Sequence, residues 1–247
     1  GYKGPQANDI DFTRPPVVVR PEVPIDFEVG AKMQFFDGRL ALTGDAFLTK
    51  VDGFQAQYCT TPTFTNPTPA CAPANVDGVK TRGFDLMVFG APIEGLTLNG
   101  GLTYAKATYP SPYTAPDGTD LSGAQLSFAP LWKATMTGEY TWAVGSHGLK
   151  ALVSADALYT SEIRTNTSSD PNNLNPSHRV FGLRAGLRGS SWTVALYGRN
   201  ITDERVPVTL GTGVAPIPLG GPEPVNYWRA YSPNSGRVLG VSFDANF

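Results

Sequence analysis

Leu239-Gly240-Val241-Ser242-Phe243-Asp244-Ala245-Asn246-Phe247 carries an apolar side chain at every second position. Successive side chains of a β-strand point to opposite faces. Leu239, Val241, Phe243, Ala245 and Phe247 therefore share one face, and Gly240, Ser242, Asp244 and Asn246 the other. A single strand of this kind could border any core, so its meaning depends on whether the split recurs. Val29, Ala31, Met33 and Phe35 oppose Glu28, Lys32 and Gln34, and Leu40, Leu42, Ala46 and Leu48 oppose Arg39, Thr43 and Asp45. Phe84, Leu86 and Val88 oppose Asp85, while Leu98, Leu102 and Tyr104 oppose Thr97, Asn99 and Thr103. Trp132, Ala134, Met136, Tyr140 and Trp142 oppose Lys133, Thr135, Thr137 and Glu139. Val153, Ala155 and Tyr159 oppose Ser154 and Asp156; Phe181, Leu183 and Leu187 oppose Arg184 and Arg188; Trp192, Val194 and Leu196 oppose Thr193 and Arg199.

These apolar faces hold no charge, whereas the polar faces hold both signs. A lipid-facing Arg or Lys costs about 2–4 kcal/mol near the bilayer midplane, so strict exclusion is expected of a face that meets lipid. A soluble sandwich also alternates, with its apolar face turned to a core. Aromatics separate the two cases: Tyr104, Trp132, Tyr140, Trp142, Tyr159, Trp192 and Phe247 cluster near strand ends on the apolar face, where an interfacial girdle belongs. Connection lengths separate them again. Short turns at 36–38, 92–95, 143–148 and 189–191 alternate with long Pro/Gly/Ser/Thr/Asn-rich loops at 7–24, 59–80, 110–129, 162–177 and 203–235. Short periplasmic turns and long extracellular loops are the pattern of an outer-membrane barrel. The expected fold is all-β, an antiparallel transmembrane meander of nine strands plus a stub at Gly1–Pro5. Bacterial barrels close with an even strand number, so the whole chain, 1–247, is expected to be part of a larger barrel.

Composition narrows the function classes. The 247 residues carry 19 Lys+Arg and 21 Asp+Glu, a net charge of −2, with no basic patch suited to nucleic acid. No apolar run approaches the roughly 18 residues of a membrane-spanning helix, which says nothing against a barrel. His147 and His178 fall on opposite sides of the expected membrane, and neither is paired in sequence with a Ser nucleophile or an orienting carboxylate. Zinc spacing and a phosphate-cradling glycine loop are absent from the sequence. Asp117-Gly118-Thr119-Asp120 lacks the later bidentate Glu of a calcium loop and reads as a turn. No enzyme, catalytic residue, cofactor or metal is expected.

Four stretches resemble the C-terminal part of the TonB-dependent outer-membrane receptors. They are Phe27–Lys32 followed by Phe36–Leu40, Thr81-Arg82-Gly83-Phe84-Asp85-Leu86 running into Gly95–Tyr104, Leu196-Tyr197-Gly198-Arg199-Asn200-Ile201-Thr202-Asp203-Glu204-Arg205, and Arg237–Phe247. The resemblance implies the last ten or so strands of a 22-stranded barrel in the bacterial outer membrane, with the C-terminus periplasmic. It implies nutrient import (siderophore, cobalamin, saccharide or similar) energised by TonB through a plug that this sequence does not contain. The alternative is the wall of a passive porin. Outer-membrane lipid, the plug and N-terminal strands, and the barrel-assembly machinery are the implied partners, with Phe243 and Phe247 as the C-terminal assembly signal.

Cys59 and Cys71 flank a Pro/Thr-rich loop; an even pair in an oxidising envelope favours a disulfide, and no His or further Cys nearby favours a metal. Polar-face Lys133, Glu139, Asp156, Arg184, Arg188 and Arg199 either guide a charged solute or form a salt-bridged wall, and the mixed signs favour the wall. Loop aromatics Tyr109, Tyr113, Tyr227, Trp228 and Tyr231 either line an outer ligand pocket or rest on the barrel rim.

Overall fold

The computed structural model describes residues 2–7, 18–59, 71–115, 118–165, 171–214, 225–232 and 235–245. In chain order the strands are β1 (Gln6–Ala7), β2 (Val18–Val19), β3 (Val23–Phe35), β4 (Leu40–Asp52), β5 (Phe54–Cys59) and β6 (Cys71–Val76). There follow β7 (Val79–Gly90), β8 (Leu96–Thr108), β9 (Trp132–Ala143), β10 (Lys150–Thr160), β11 (Ile163–Arg164) and β12 (Leu174–Asn175). The last are β13 (His178–Arg188), β14 (Trp192–Arg199), β15 (Pro207–Val214), β16 (Val225–Tyr231) and β17 (Val238–Ala245).

Nine of these form one antiparallel sheet in the order β17-β14-β13-β10-β9-β8-β7-β4-β3, so the expected meander and its strand count are both present. Among the described residues β3 and β17 are its edges and do not pair with each other; the sheet is open. All its short turns lie at one end and all its long connections at the other. The turn after β3 is typical: Phe36 and Asp37 have φ of 54° and 55° and Gly38 82°, with Arg39 N–H donating to Phe36 O at 3.1 Å. Such left-handed turns match the right-handed twist of the flanking strands.

The apolar face is uncovered. Val29, Leu196, Leu239 and Phe243 are 74%, 67%, 71% and 70% exposed, values a soluble core would not leave. Across it the aromatics gather in two bands. Near the long-loop end Phe84, Tyr104 and Trp132 lie 4.7–5.9 Å apart between ring centres, and Arg179 stands over Tyr159 at 5.8 Å. Near the short-turn end Tyr140 stacks on Trp142 at 5.6 Å.

The structure departs from the sequence reading in the loops. The long loops read at 59–80 and 203–235 carry strands of their own: β6 pairs with β5, which just precedes the first, and β15 pairs with β16 within the second. The buried core of the described chain lies here rather than under the sheet: Ala56, Val76, Val79, Ala107, Leu121 and Leu126 pack together with Tyr109, joined by partly buried Val51 and Phe54. Loop composition concealed this because the core is built from small apolar residues separated by turn formers. The N-terminal stub joins the same end, with Lys3 bridged to Glu22 just before β3 and β1 paired with β2.

Candidate functional site

The polar face is the first candidate surface. On it Arg188 Nη2 meets Glu139 Oε1 at 3.1 Å, reaching from β13 across β10 to β9. Register places Arg188 opposite Lys150 and Glu139 opposite Ser154, so the bridge crosses β10 at Leu152, which is 1% exposed. Leu152 is an apolar residue on the polar face that alternation did not anticipate; the paired charges cover it. Arg184 donates to Asp244 and to Ser242, both at 3.4 Å, joining β13 to β17 across β14. Asp85 accepts from the Thr103 hydroxyl, and Asp26 accepts from Thr49 at 2.6 Å. Arg199 lies over the Tyr197 ring at 5.4 Å, and that ring in turn covers Gly240, where a Cβ would come within 2.7 Å of it. Asp156 stands against Gly182, its cross-strand partner, and Lys133 is exposed. Met87 and Phe89 remain 56% and 62% exposed on this face, an apolar patch within a polar wall.

The second candidate is the long-loop platform. Tyr109 and Tyr113 stack with centres 5.4 Å apart and planes 7° from parallel. Tyr109 is 5% exposed and packs in the loop core. Tyr227, Trp228 and Tyr231 are 45%, 50% and 43% exposed on β16, with Tyr227 and Tyr231 on one side of the strand and Trp228 on the other. Cys59 and Cys71 are directly opposed in the β5–β6 ladder, at the last paired rung before the intervening segment. Phe247 lies outside the described residues, as does Asp117. Beyond it, Ser122 N–H donates to Asp120 Oδ1 at 2.9 Å.

Two clasps tie the platform to the sheet. Asp77, in the β6–β7 turn, accepts from Arg20 Nη2 at 2.8 Å and from Gly53 N–H at 2.7 Å, and these two hydrogen bonds hold its carboxyl below the usual range. Asn200, buried at the exit of β14, adopts φ 48°. Its amide donates to Glu204 O at 2.9 Å and Ser235 O at 2.7 Å, while its oxygen accepts from Glu204 N–H at 2.9 Å. Asp203 Oδ1 accepts from Arg237 N–H at 2.8 Å, which lowers its pKa. The Asn200–Asp203 stretch that carries the family resemblance is thus the clasp closing the base of the longest loop.

Sequence reading missed one feature, four cations on the apolar face. Lys50, Lys80, Arg82 and Lys106 have the same parity as Leu48, Phe84 and Tyr104, and they continue the outward face toward the loops. Extending the alternation by two rungs finds them.

His147 sits in the β9–β10 turn beside Ser146 Oγ at 3.4 Å, and His178 opens β13 at the opposite end of the sheet.

The sequence matches the family described as "TonB dependent receptor-like, beta-barrel" over residues 1–201. A curated relative, the ferric-pyoverdine M114 receptor PbuA of Pseudomonas sp. (strain M114), is 28% identical over 200 residues, covering 78% of this chain and 22% of that protein. The ferric yersiniabactin uptake receptor FyuA from Yersinia pestis superposes with a TM-score of 0.71 at 14% identity over 100% of this chain and 34% of its own. The siderophore receptor PiuA from Acinetobacter baumannii does so with a TM-score of 0.61 at 23% identity, over 92% of this chain and 29% of its own. This chain spans about a fifth of the length of that curated relative. An open nine-stranded meander with one bare apolar face, short turns at one end and folded loops at the other is accounted for by that match: the chain belongs to the TonB-dependent receptor-like β-barrel family.

Proposed function

We propose that this chain forms barrel wall and outer loops of a TonB-dependent receptor that imports a ferric siderophore across the bacterial outer membrane. The observation that carries the reading is the solvent-bare apolar face of a nine-stranded sheet, free of charge between its two aromatic bands, within a family whose relatives described above are named as a ferric-pyoverdine receptor, a ferric yersiniabactin uptake receptor and a siderophore receptor. In this reading the apolar face meets lipid, the long-loop end is extracellular and β17 ends on the periplasmic side. Energy reaches the barrel through TonB acting on a plug supplied by the rest of the receptor. The barrel-assembly machinery reads Phe243 and Phe247 at the C-terminal strand.

The residues divide by task. Tyr113, Tyr227, Trp228 and Tyr231 offer aromatic surface to the ligand at the loop end. The Arg188–Glu139 and Arg184–Asp244 bridges, with Lys133, Asp156 and Arg199, form a polar wall toward the interior, and exposed Met87 and Phe89 give the plug an apolar seat. Cys59 and Cys71, opposed across an antiparallel ladder, form a disulfide that stiffens the β5–β6 hairpin. Growth on ferric siderophores as sole iron source, in a host lacking its own receptors, tests the proposal. Uptake that needs both this receptor and TonB is the expected result. Uptake independent of TonB would identify a passive channel and overturn it.

A further inference from the structure

We infer that Lys50, Lys80, Arg82 and Lys106 form an external site for the phosphate groups of an anionic lipid in the leaflet at the long-loop end. The inference rests on the membrane reading above, because it needs the apolar face to meet lipid.

Register defines three successive outward rungs across β3, β4, β7 and β8. The first is Val29–Ala46–Phe84–Tyr104, part of the aromatic band. The next toward the loops is Phe27–Leu48–Arg82–Lys106, and the third is Ile25–Lys50–Lys80–Thr108. Rungs two residues apart are separated by roughly 7 Å along the strand, so the cations begin one step beyond the aromatic band. Aromatic bands mark the edge of the hydrocarbon, and the layer beyond it holds lipid headgroups.

Two physical oddities need an explanation. Arg82 directly opposes Lys106, and Lys50 directly opposes Lys80. Like charges facing each other across a ladder are destabilising. Asp52 answers only Lys50, at 3.3 Å; among the described residues Lys80, Arg82 and Lys106 have no carboxylate partner. The four side chains instead converge, with Phe27 and Leu48, on a cleft of about 590 Å³. Its floor toward the membrane is apolar and its rim toward the loops is cationic, the order presented by an acyl chain ending in a phosphorylated headgroup.

The bias is local. On the described strands of the main sheet, the outward charges are these four, Asp52 and Arg179, all near the long-loop end; no outward charge lies at the short-turn end. The site faces away from the interior, so neither plug nor imported solute reaches it. A second copy of the chain would bring four more cations and be repelled. A phosphorylated lipid supplies the missing negative charge and an apolar body together.

The full receptor, purified and placed in vesicles of neutral phosphatidylcholine doped with a bis-phosphorylated glucosamine lipid, provides the test. Retention of that lipid is read by native mass spectrometry for wild type, for the triple variant Lys80→Gln/Arg82→Gln/Lys106→Gln, and for Arg179→Gln. Each cation removed from a membrane-surface cluster is expected to weaken retention about five-fold, so the triple variant loses about 100-fold. Arg179→Gln should match wild type, and the dephosphorylated lipid should be retained by neither. Relief of like-charge repulsion should leave the triple variant at least as resistant to unfolding as wild type in neutral detergent, which separates lost binding from lost folding. Equal retention by wild type and triple variant overturns the inference. So does displacement of the lipid by inorganic phosphate at equal concentration, which would make this a free-anion site. Failure of wild type to insert into vesicles of either composition overturns the membrane reading, and the inference with it.

Discussion

Replacing Asn200 by alanine removes three hydrogen bonds of 2.9, 2.7 and 2.9 Å from a side chain that is 7% exposed. It also places a Cβ-bearing residue without a compensating side chain at φ 48°. A hydrogen bond contributes about 0.5–1.5 kcal/mol net, and leaving its buried partner unsatisfied costs more. The partners here, Glu204 and Ser235, are half-buried at the base of a surface loop, where water can replace part of what is lost. The clasp should therefore weaken by about 2–3 kcal/mol, felt as local opening of the 200–237 connection rather than as global unfolding. Arg205 supplies a trypsin site beside the clasp, and cleavage of a transiently open segment follows its open population. At tenfold per 1.4 kcal/mol, cleavage after Arg205 in the intact receptor should rise about 30- to 140-fold. Asn200→Asp keeps the acceptor for Glu204 N–H but turns an oxygen toward two carbonyls, and should be no better protected than alanine. Asn200→Gly tolerates the φ and should recover only about 1 kcal/mol of the loss. Wild-type cleavage rates for Asn200→Ala, or full protection for Asn200→Gly, would refute the argument that the side chain is the clasp.

Facing can be tested by parity: Val241→Arg places a cation on the lipid side and should cost about 2–4 kcal/mol, seen as lost heat-modifiable folded barrel, whereas Ser242→Arg on the polar face should assemble. Gly83→Ala should prevent assembly, because its Cβ would fall inside the carbonyl of Tyr104 and crowd the Phe47 ring at 3.0 Å; a folded Gly83→Ala barrel would contradict the register. Reducing a Cys59–Cys71 bridge should destabilise the β5–β6 hairpin by roughly 3 kcal/mol on the chain-entropy estimate, read as faster proteolysis between them under dithiothreitol, with Cys59→Ser insensitive. For pH, the folded pKa of Asp77 lies below its unfolded value, so its contribution is fully present above the ordinary carboxylate range and is lost as pH falls through the folded pKa. Hydrogen exchange at Gly53 N–H, corrected for intrinsic rate, should speed up only on acidification below that range, and Asp77→Asn should remove the dependence.

Much of the sheet was legible because a period of two survives any neighbour. Val29, Phe84, Leu196 and Phe243 take their face from position within their own strand, and between the aromatic bands that face carries no charge in any strand of the main sheet. The loops resisted reading for the opposite reason. Ala56, Val76, Val79 and Ala107 become a core only when β5, β6 and the ends of β7 and β8 are brought together, and no local periodicity records that meeting. Tyr109 and Trp228 look alike in sequence as loop aromatics; contact with this core buries one while the other stays on a hairpin surface. Alternation was also blind to Leu152, whose tolerance on a polar wall depends on a salt bridge spanning its neighbours.

By itself the sequence determined the nine strands of the main sheet, their apolar face and the segregation of short turns from long loops, together with the family resemblance. Each of these depends on the alternation of side chains along one strand or on the composition between strands. Tertiary structure alone decided register, and register decided which charges meet. Lys50 and Lys106 are separated by 56 positions in the chain yet line one cleft, because β4, β7 and β8 pair with those rungs aligned. A one-residue slip would have turned each of them to the other face. Hydrogen bonding between strands carries that information, and no single strand contains it.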